Sequence, residues 1–322
     1  MRYLFMLLTL VSFTFPVAVS AQTKADKPVL KITPGKVIVP FDRMRRIWGE
    51  LISVDLKSRT GVFRAESDDV VRTFTVMPYA ELLHHAANGD LQDFRVGERA
   101  IFRLHENDKG EWVYLTYIQG EMNFYHNHKE FLHVDAIDAK SGRLICTQAS
   151  ADKSYVREKD ITIDTDAKTR YWKNGEPAKF ADIQIGSKLQ TKSRGVGKGK
   201  GRVCWDVFLD ETSLVKMQAE QKKVHLGRIL SEGMPGYVDM VNDKSLELTL
   251  FAEGGEVFRK LKVGQTVRIA PAGVDRKPSS EPVTATVAAF KLDRNLGKVS
   301  LTLTGSTAAY RVAELARVWI KE

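Results

Sequence analysis

Cysteine is nearly missing from this sequence, with two residues in 322, Cys146 and Cys204. Two are too few for a disulfide-stapled scaffold, and neither has the CxxC or CxxCH spacing that thiol redox catalysis or haem attachment requires. Their contexts, RLICTQ and GRVCWDVF, are apolar. That leaves two readings open: one bridge tying the beginning and end of a single domain, or two buried free thiols. Long amphipathic periodicity is also lacking, which excludes a helical bundle or coiled coil. No Gly-x-Ser-x-Gly elbow, HExxH pair, Walker loop or EF-hand loop occurs, so the common hydrolase, zinc-protease, nucleotide and calcium chemistries have no motif behind them. The expectation is a non-catalytic protein without a cofactor; an unrecognised hydrolase is the weakest of the readings kept.

What is present begins with MRYLFMLLTLVSFTFPVAVSAQ: Arg2, an uncharged apolar run from Leu4 to Val19, then Ser20 and Ala21. This predicts a signal peptide over 1–21, cut between Ala21 and Gln22, with a retained membrane anchor as the alternative. The protein is therefore expected to be secreted or periplasmic, with no transmembrane segment once the signal is removed. Loss of Arg2 lowers the formal charge from +9 to +8. A basic chain outside the cytoplasm points to an acidic envelope polymer or a protein partner, and export argues against nucleic acid.

Strand signals fill the rest. GELISVD, TGVFRA, RTFTVM, RAIFRL, WVYLTYI, LTLFAE, QTVRIA, VTATVAAFKL and KVSLTLTG alternate or are rich in β-branched residues. They recur in three units, 47–122, 130–212 and a divergent 224–320, after an extended tether at 22–46. Asp55 to Gly61 and Asp138 to Gly142 predict hairpin turns, and Val96-Gly97, Ile185-Gly186 and Val263-Gly264 place a flexible residue before a following strand. Units of this size hide their sheet edges most simply as small barrels. PYAELLHHAANG predicts a short helix over 78–89, started by Pro78 and stopped by Gly89, and a helix there matches the element order of an OB-type barrel. On such a helix His84 and His85 diverge by about 100°. A helical connector is expected over 210–223. The fold class is mainly β: about three tandem OB-like β-barrels.

The run ITIDTDAKTRYWKNGEPAKFADIQIGSKLQTKS of the second unit, with LQDFRVGERAIFRLHENDKGEWVYLTYI of the first and LKVGQTVRI of the third, resembles the extracytoplasmic OB-like repeat domains of unknown function. The resemblance lies in the order of strands and turns; it implies a fold and no activity.

Two stretches carry candidate sites. NFYHNHKEFLH at 123–133 holds three of the seven histidines. If it is extended, His126 and His128 share a face and His133 is the third ligand of a zinc or copper site; the alternative is an inert seam between domains. KLQTKSRGVGKGKGRVCW is a glycine-lysine tip with no helix after it, so it is neither a P-loop nor a dinucleotide fingerprint. Lys192, Arg194, Lys198, Lys200 and Arg202, with Trp172 as a stacking surface, are the candidate residues for an anionic ligand. The competing reading is a solvated turn; Trp205, in an apolar strand, is expected to point inward.

Overall fold

The structure is a computed structural model that describes residues 44–107, 109–194, 202–293 and 295–320. The segments expected to be a signal peptide (1–21) and, but for its last three residues, a tether (22–46), together with Lys198 and Lys200, lie outside the described residues.

The first barrel comprises β1 (Met44–Asp55), β2 (Thr60–Ala65), β3 (Val71–His84), β4 (Ala87–Asn88), β5 (Arg99–Glu106) and β6 (Trp112–Gly120). The ring runs β1-β2-β3-β6-β5 and back to β1, with β3 and β6 parallel and the other ring pairs antiparallel. In β2 the burial alternates residue by residue, which sends Phe63 inward to stack on Phe102 at 4.2 Å between ring centres. The second barrel repeats that order with β7 (Glu130–Asp138), β8 (Arg143–Ser150), β9 (Val156–Asp164), β12 (Lys188–Arg194) and β13 (Arg202–Phe208). Here the parallel pair is β9 with β13, and a hairpin of β10 (Arg170–Lys173) and β11 (Glu176–Ala178) extends the sheet. These are OB-type orders. The third barrel is closed but differently threaded, as β14-β15-β18-β17-β16-β19 with every pair antiparallel. Its strands are β14 (Met234–Val241), β15 (Ser245–Leu250), β16 (Thr266–Ala272), β17 (Val283–Asp293), β18 (Leu296–Leu303) and β19 (Leu315–Ile320).

The glycine before a strand has one job in all three. Gly97, Gly186 and Gly264 sit at φ of 89°, 85° and 85°. Each donates its N–H to a carbonyl at a β-bulge: Leu51 (2.5 Å), Val134 (2.8 Å) and Val287 (2.8 Å). A positive φ without strain is what glycine supplies there.

No helix forms over 78–89. β3 runs on through Pro78, where its pairing with β6 skips from Val76 to Glu81, so the proline sits at a break in the ladder and has no bond to withhold. The strand then turns into β4 through His85 and Ala86, both left-handed at φ 48° and 58°. The second barrel makes the equivalent two-residue turn with Asn174 and Gly175, at 54° and 74°, which is the residue chemistry a type I′ turn favours. Ala86→Gly is accordingly expected to raise stability by about 0.5–1 kcal/mol, as measured by urea unfolding.

α2 (Glu211–Glu232) is longer than the predicted connector and ties all three barrels together. Asp210 caps it by accepting from the Ser213 N–H at 2.8 Å. Its first turns hold the β10–β11 turn: the Ser213 hydroxyl accepts from the Gly175 N–H (3.0 Å), and Lys216 donates to the Gly175 carbonyl (2.5 Å). Its middle holds the β3–β4 turn through Gln218, which donates to the Ala86 carbonyl (2.7 Å), and Gln221, which donates to Asn88 (3.2 Å). Further on, Arg228 pairs with Asp93 of the first barrel (2.8 Å), and His225 donates to the Glu253 carbonyl of the third (2.9 Å).

Candidate functional site

The histidine stretch is not extended. It forms α1 (Glu121–His128), closed by Lys129 in the left-handed conformation. Residues two apart on a helix point about 200° apart, so His126 and His128 do not share a face. His128 instead donates to the Phe124 carbonyl (2.8 Å), and His133 is buried in β7 and donates to the Ser150 carbonyl (2.8 Å). Among the described residues no group of three or more His, Cys, Asp or Glu is placed to hold a metal ion. Cys146 and Cys204 are buried free thiols of one core; that burial pushes Cys146 up to about 12 and Cys204 well above the usual thiol range, which keeps both protonated.

The candidate anion-binding residues divide. Lys192 is buried at the junction of the first two barrels, 2 % exposed. Its ammonium lies 3.1 Å from Glu98 and donates to His84 Nε2 (2.6 Å) and His85 Nε2 (3.3 Å). With Nε2 accepting, His84 carries its proton on Nδ1 and donates it to Gln221 of α2 (2.9 Å). Burial alone would raise the Glu98 carboxyl, but the Lys192 ammonium beside it outweighs that and holds it at about 2. Burial, with the Lys192 ammonium beside it, holds His85 far below the usual imidazole range, so it is neutral. The two histidines, expected to diverge on a helix, instead stack with ring centres 3.8 Å apart on the turn and share one cation.

Arg202 is likewise committed inside. It reaches Glu121 (3.7 Å), Glu158 (3.6 Å) and the Tyr125 hydroxyl (3.3 Å). Glu121, fully buried, also accepts from Arg99 (3.0 Å), the Ser193 N–H (2.9 Å), Thr191 (3.3 Å) and Tyr125 (3.2 Å). Lys192 and Arg202 are thus structural cations, because β12 and β13 present that face to the first barrel rather than to water.

Beside this junction lies a surface that remains open. Buried Asp206 accepts from Arg170 (2.8 Å) and from the Trp172 indole N–H (3.0 Å), and Arg95 of the first barrel stands 4.0 Å away. Each arginine lies over an indole at 5.7 Å from the ring centre, Arg170 over Trp172 and Arg95 over Trp205. Both guanidinium side chains are about half exposed, 47 % and 49 %. Trp205 does not enter its barrel core: it sits against Gly97, where an added Cβ would lie 3.4 Å from its ring. Arg194, at the root of the glycine-lysine tip, is partly exposed and paired with Asp166 (2.6 Å). Sequence reasoning missed Arg95, Arg170 and Asp206. The spacing of Arg170 and Trp172 on one face of a strand is the signal that was there to be used.

Among the described residues no helix is long and apolar enough to cross a membrane. The fold and site together define a protein of tandem small β-barrels. Compared with family models, curated proteins and solved structures, the chain shows no significant match to any.

Proposed function

We propose that this is an exported, non-catalytic binding or scaffold protein of the cell envelope that takes an anionic polymer on the face made by Arg95, Trp205, Arg170 and Trp172. The observation that carries this reading is the pair of half-exposed guanidinia, each stacked on an indole and both held by one buried carboxylate. Two cations against one anion leave the face positive, and the indoles hold the arginines in place while offering apolar surface to sugar rings or other flat groups. The OB-like fold of the first two barrels and the basic balance of the chain are in keeping with such a role, as is the resemblance to extracytoplasmic repeat domains. Lys198 and Lys200 add two further cations to the sequence between β12 and β13.

The test is retention of the mature chain on an immobilised acidic polysaccharide such as polygalacturonate at about 50 and about 200 mM salt. Retention is expected to fall steeply with salt. Arg95→Gln with Arg170→Gln is expected to weaken it roughly tenfold or more, and Lys198→Gln with Lys200→Gln to reduce the salt dependence further. Retention that the arginine double variant leaves unchanged would overturn the assignment of the face.

A further inference from the structure

The contact between the first two barrels closes on two histidines. Lys192 uses all three N–H groups of its ammonium there, on the Glu98 carboxylate (3.1 Å), His84 Nε2 (2.6 Å) and His85 Nε2 (3.3 Å). A ring nitrogen must be unprotonated to accept, so this docked arrangement holds only while both imidazoles are neutral. Little around them would receive a positive ring. The charges that bear most on His85 are cationic: Lys192 of β12, Arg95 of the loop before β5 and Arg170 of β10. Three carboxylates lie about the pair, and each already holds a cation: Glu98 holds Lys192, Asp206 of β13 holds Arg170 (2.8 Å), and Asp93 holds Arg228 of α2 (2.8 Å). Glu98 Oε1 is 3.6 Å from His84 Nε2, so a charged His84 would have to share that carboxylate with Lys192. Gln221, the neighbour of His84 on α2, carries no charge. A proton on either ring therefore sets cation against cation beside buried Lys192, where little water is present to screen them.

The loop that carries Glu98 also carries part of the polymer-binding face. Glu98 accepts from the Arg95 N–H (3.0 Å), and Arg95 lies over Trp205 and beside Asp206 of the second barrel. Gly97, between them, is the surface that Trp205 covers. We propose that His84, His85 and Lys192 form an acid-sensitive clasp: proton uptake by the rings, chiefly His85, parts the first barrel from the second and takes Arg95 away from Asp206 and Trp205. The final step rests on the polymer-binding reading of that face; the clasp itself does not. A free imidazole titrates near 6.5, so a ring that takes up its proton only on separation favours the separated state about tenfold for each pH unit below that value, and not above it. A fixed cationic surface behaves in the opposite way, since added protons only make it more positive.

The experiment uses the full mature chain with nitroxide labels at Lys57→Cys and Lys140→Cys, exposed positions on hairpin turns of the first and second barrels; Cys146 and Cys204 are buried and stay unlabelled. Pulsed electron–electron double resonance reads the distance between the labels at about pH 7.5 and about pH 5. A single distance is expected at the higher pH and a second, longer population at the lower, the ratio of separated to docked molecules rising about 30-fold while far-UV circular dichroism is unchanged. His85→Gln keeps an acceptor for Lys192 and cannot take the proton, so its rise should be about a tenth of that or less. His85→Lys carries a fixed charge and should show the longer population already at neutral pH. The unlabelled proteins are also run on immobilised dextran sulfate, whose charge does not change over this range. The parent should be retained less at the lower pH, and His85→Gln equally at both. A parent whose label distance ignores acid, or a His85→Gln variant that responds as fully as the parent, would overturn the clasp. Labels that separate while retention holds would overturn its link to the face. No retention at either pH, with the labels still separating, would sink the polymer reading and leave the clasp standing.

Discussion

Lys192→Met is expected to cost about 3–5 kcal/mol in urea unfolding, because it leaves Glu98 buried without its cation. The energetics run through the carboxylate. In the intact junction Glu98 is held at about 2, against about 4.3 in an unfolded chain, and a displacement of that size carries about 3 kcal/mol. Its sign is that of a depressed acid: the contribution is fully present above the unfolded value and disappears as pH falls from about 4.3 through about 2. In the variant the sign reverses. Burial then dominates, the folded-state value rises above the unfolded one, and stability is lost as pH increases through it. The gap between parent and variant should therefore widen from pH 5 to pH 8. Lys192→Met combined with Glu98→Leu removes both charges, and most of the lost stability should return. A gap that stays constant with pH, or a double variant no better than the single, would show that the pair does not govern this junction.

The three barrels were legible from residues whose meaning is local. Alternating runs such as TGVFRA state which side chains face inward, and a hydrophobic residue followed by glycine marks the bulge-bonded turn that precedes a strand in every unit. What the third unit shares with the others is that local device, while its all-antiparallel order differs. A turn motif repeats in sequence without saying which neighbour it pairs with. Gly97 bonds the opening strand of its own barrel and Gly264 bonds β17, yet the two read alike. The segment 78–89 misled because Pro78 and Gly89 punctuate a helix or an irregular strand equally well, and the ladder break that accommodates the proline is a tertiary event.

The candidate site was less legible, for a physical reason. Lys192 and Arg202 lie in a stretch whose composition is that of a solvated tip, and only the docking of the first barrel converts them into buried cations. Their partners Glu98 and Glu121 belong to distant parts of the chain, so no spacing announces them. Trp205 shows the same limit from the other side. Its apolar strand context predicts the core of its own barrel, but the surface it covers belongs to Gly97 of the neighbour. Both cysteines could be assigned to one core from their contexts, while their remaining unpaired depends on geometry that strand patterns do not supply.

Glu121→Ala is the other large change expected, again about 3–5 kcal/mol, and its effect should be on how the first two barrels unfold together. Glu121 opens α1, directly after the last strand of the first barrel, and its carboxylate gathers donors from both sides: Arg99 on β5, and Thr191, Ser193 and Arg202 on β12 and β13. Removing it strands a buried backbone N–H and brings two guanidinia together without their shared anion. Arg99 retains Glu66 and its stacking on Trp48 at 3.9 Å, and Arg202 retains Glu158, so the damage falls on the contact between barrels more than on either core. Scanning calorimetry should therefore show the first two barrels melting in a single transition in the parent and in two in the variant. Glu66→Ala, at the half-buried outer end of the same network, should cost less, about 1–2 kcal/mol, and keep the single transition. If Glu121→Ala lowers the melting temperature without splitting the transition, the barrels are coupled chiefly by α2, whose side chains bind the β3–β4 turn of one and the β10–β11 turn of the other. Substitution of Gln218 and Ser213 would then be the change that separates them.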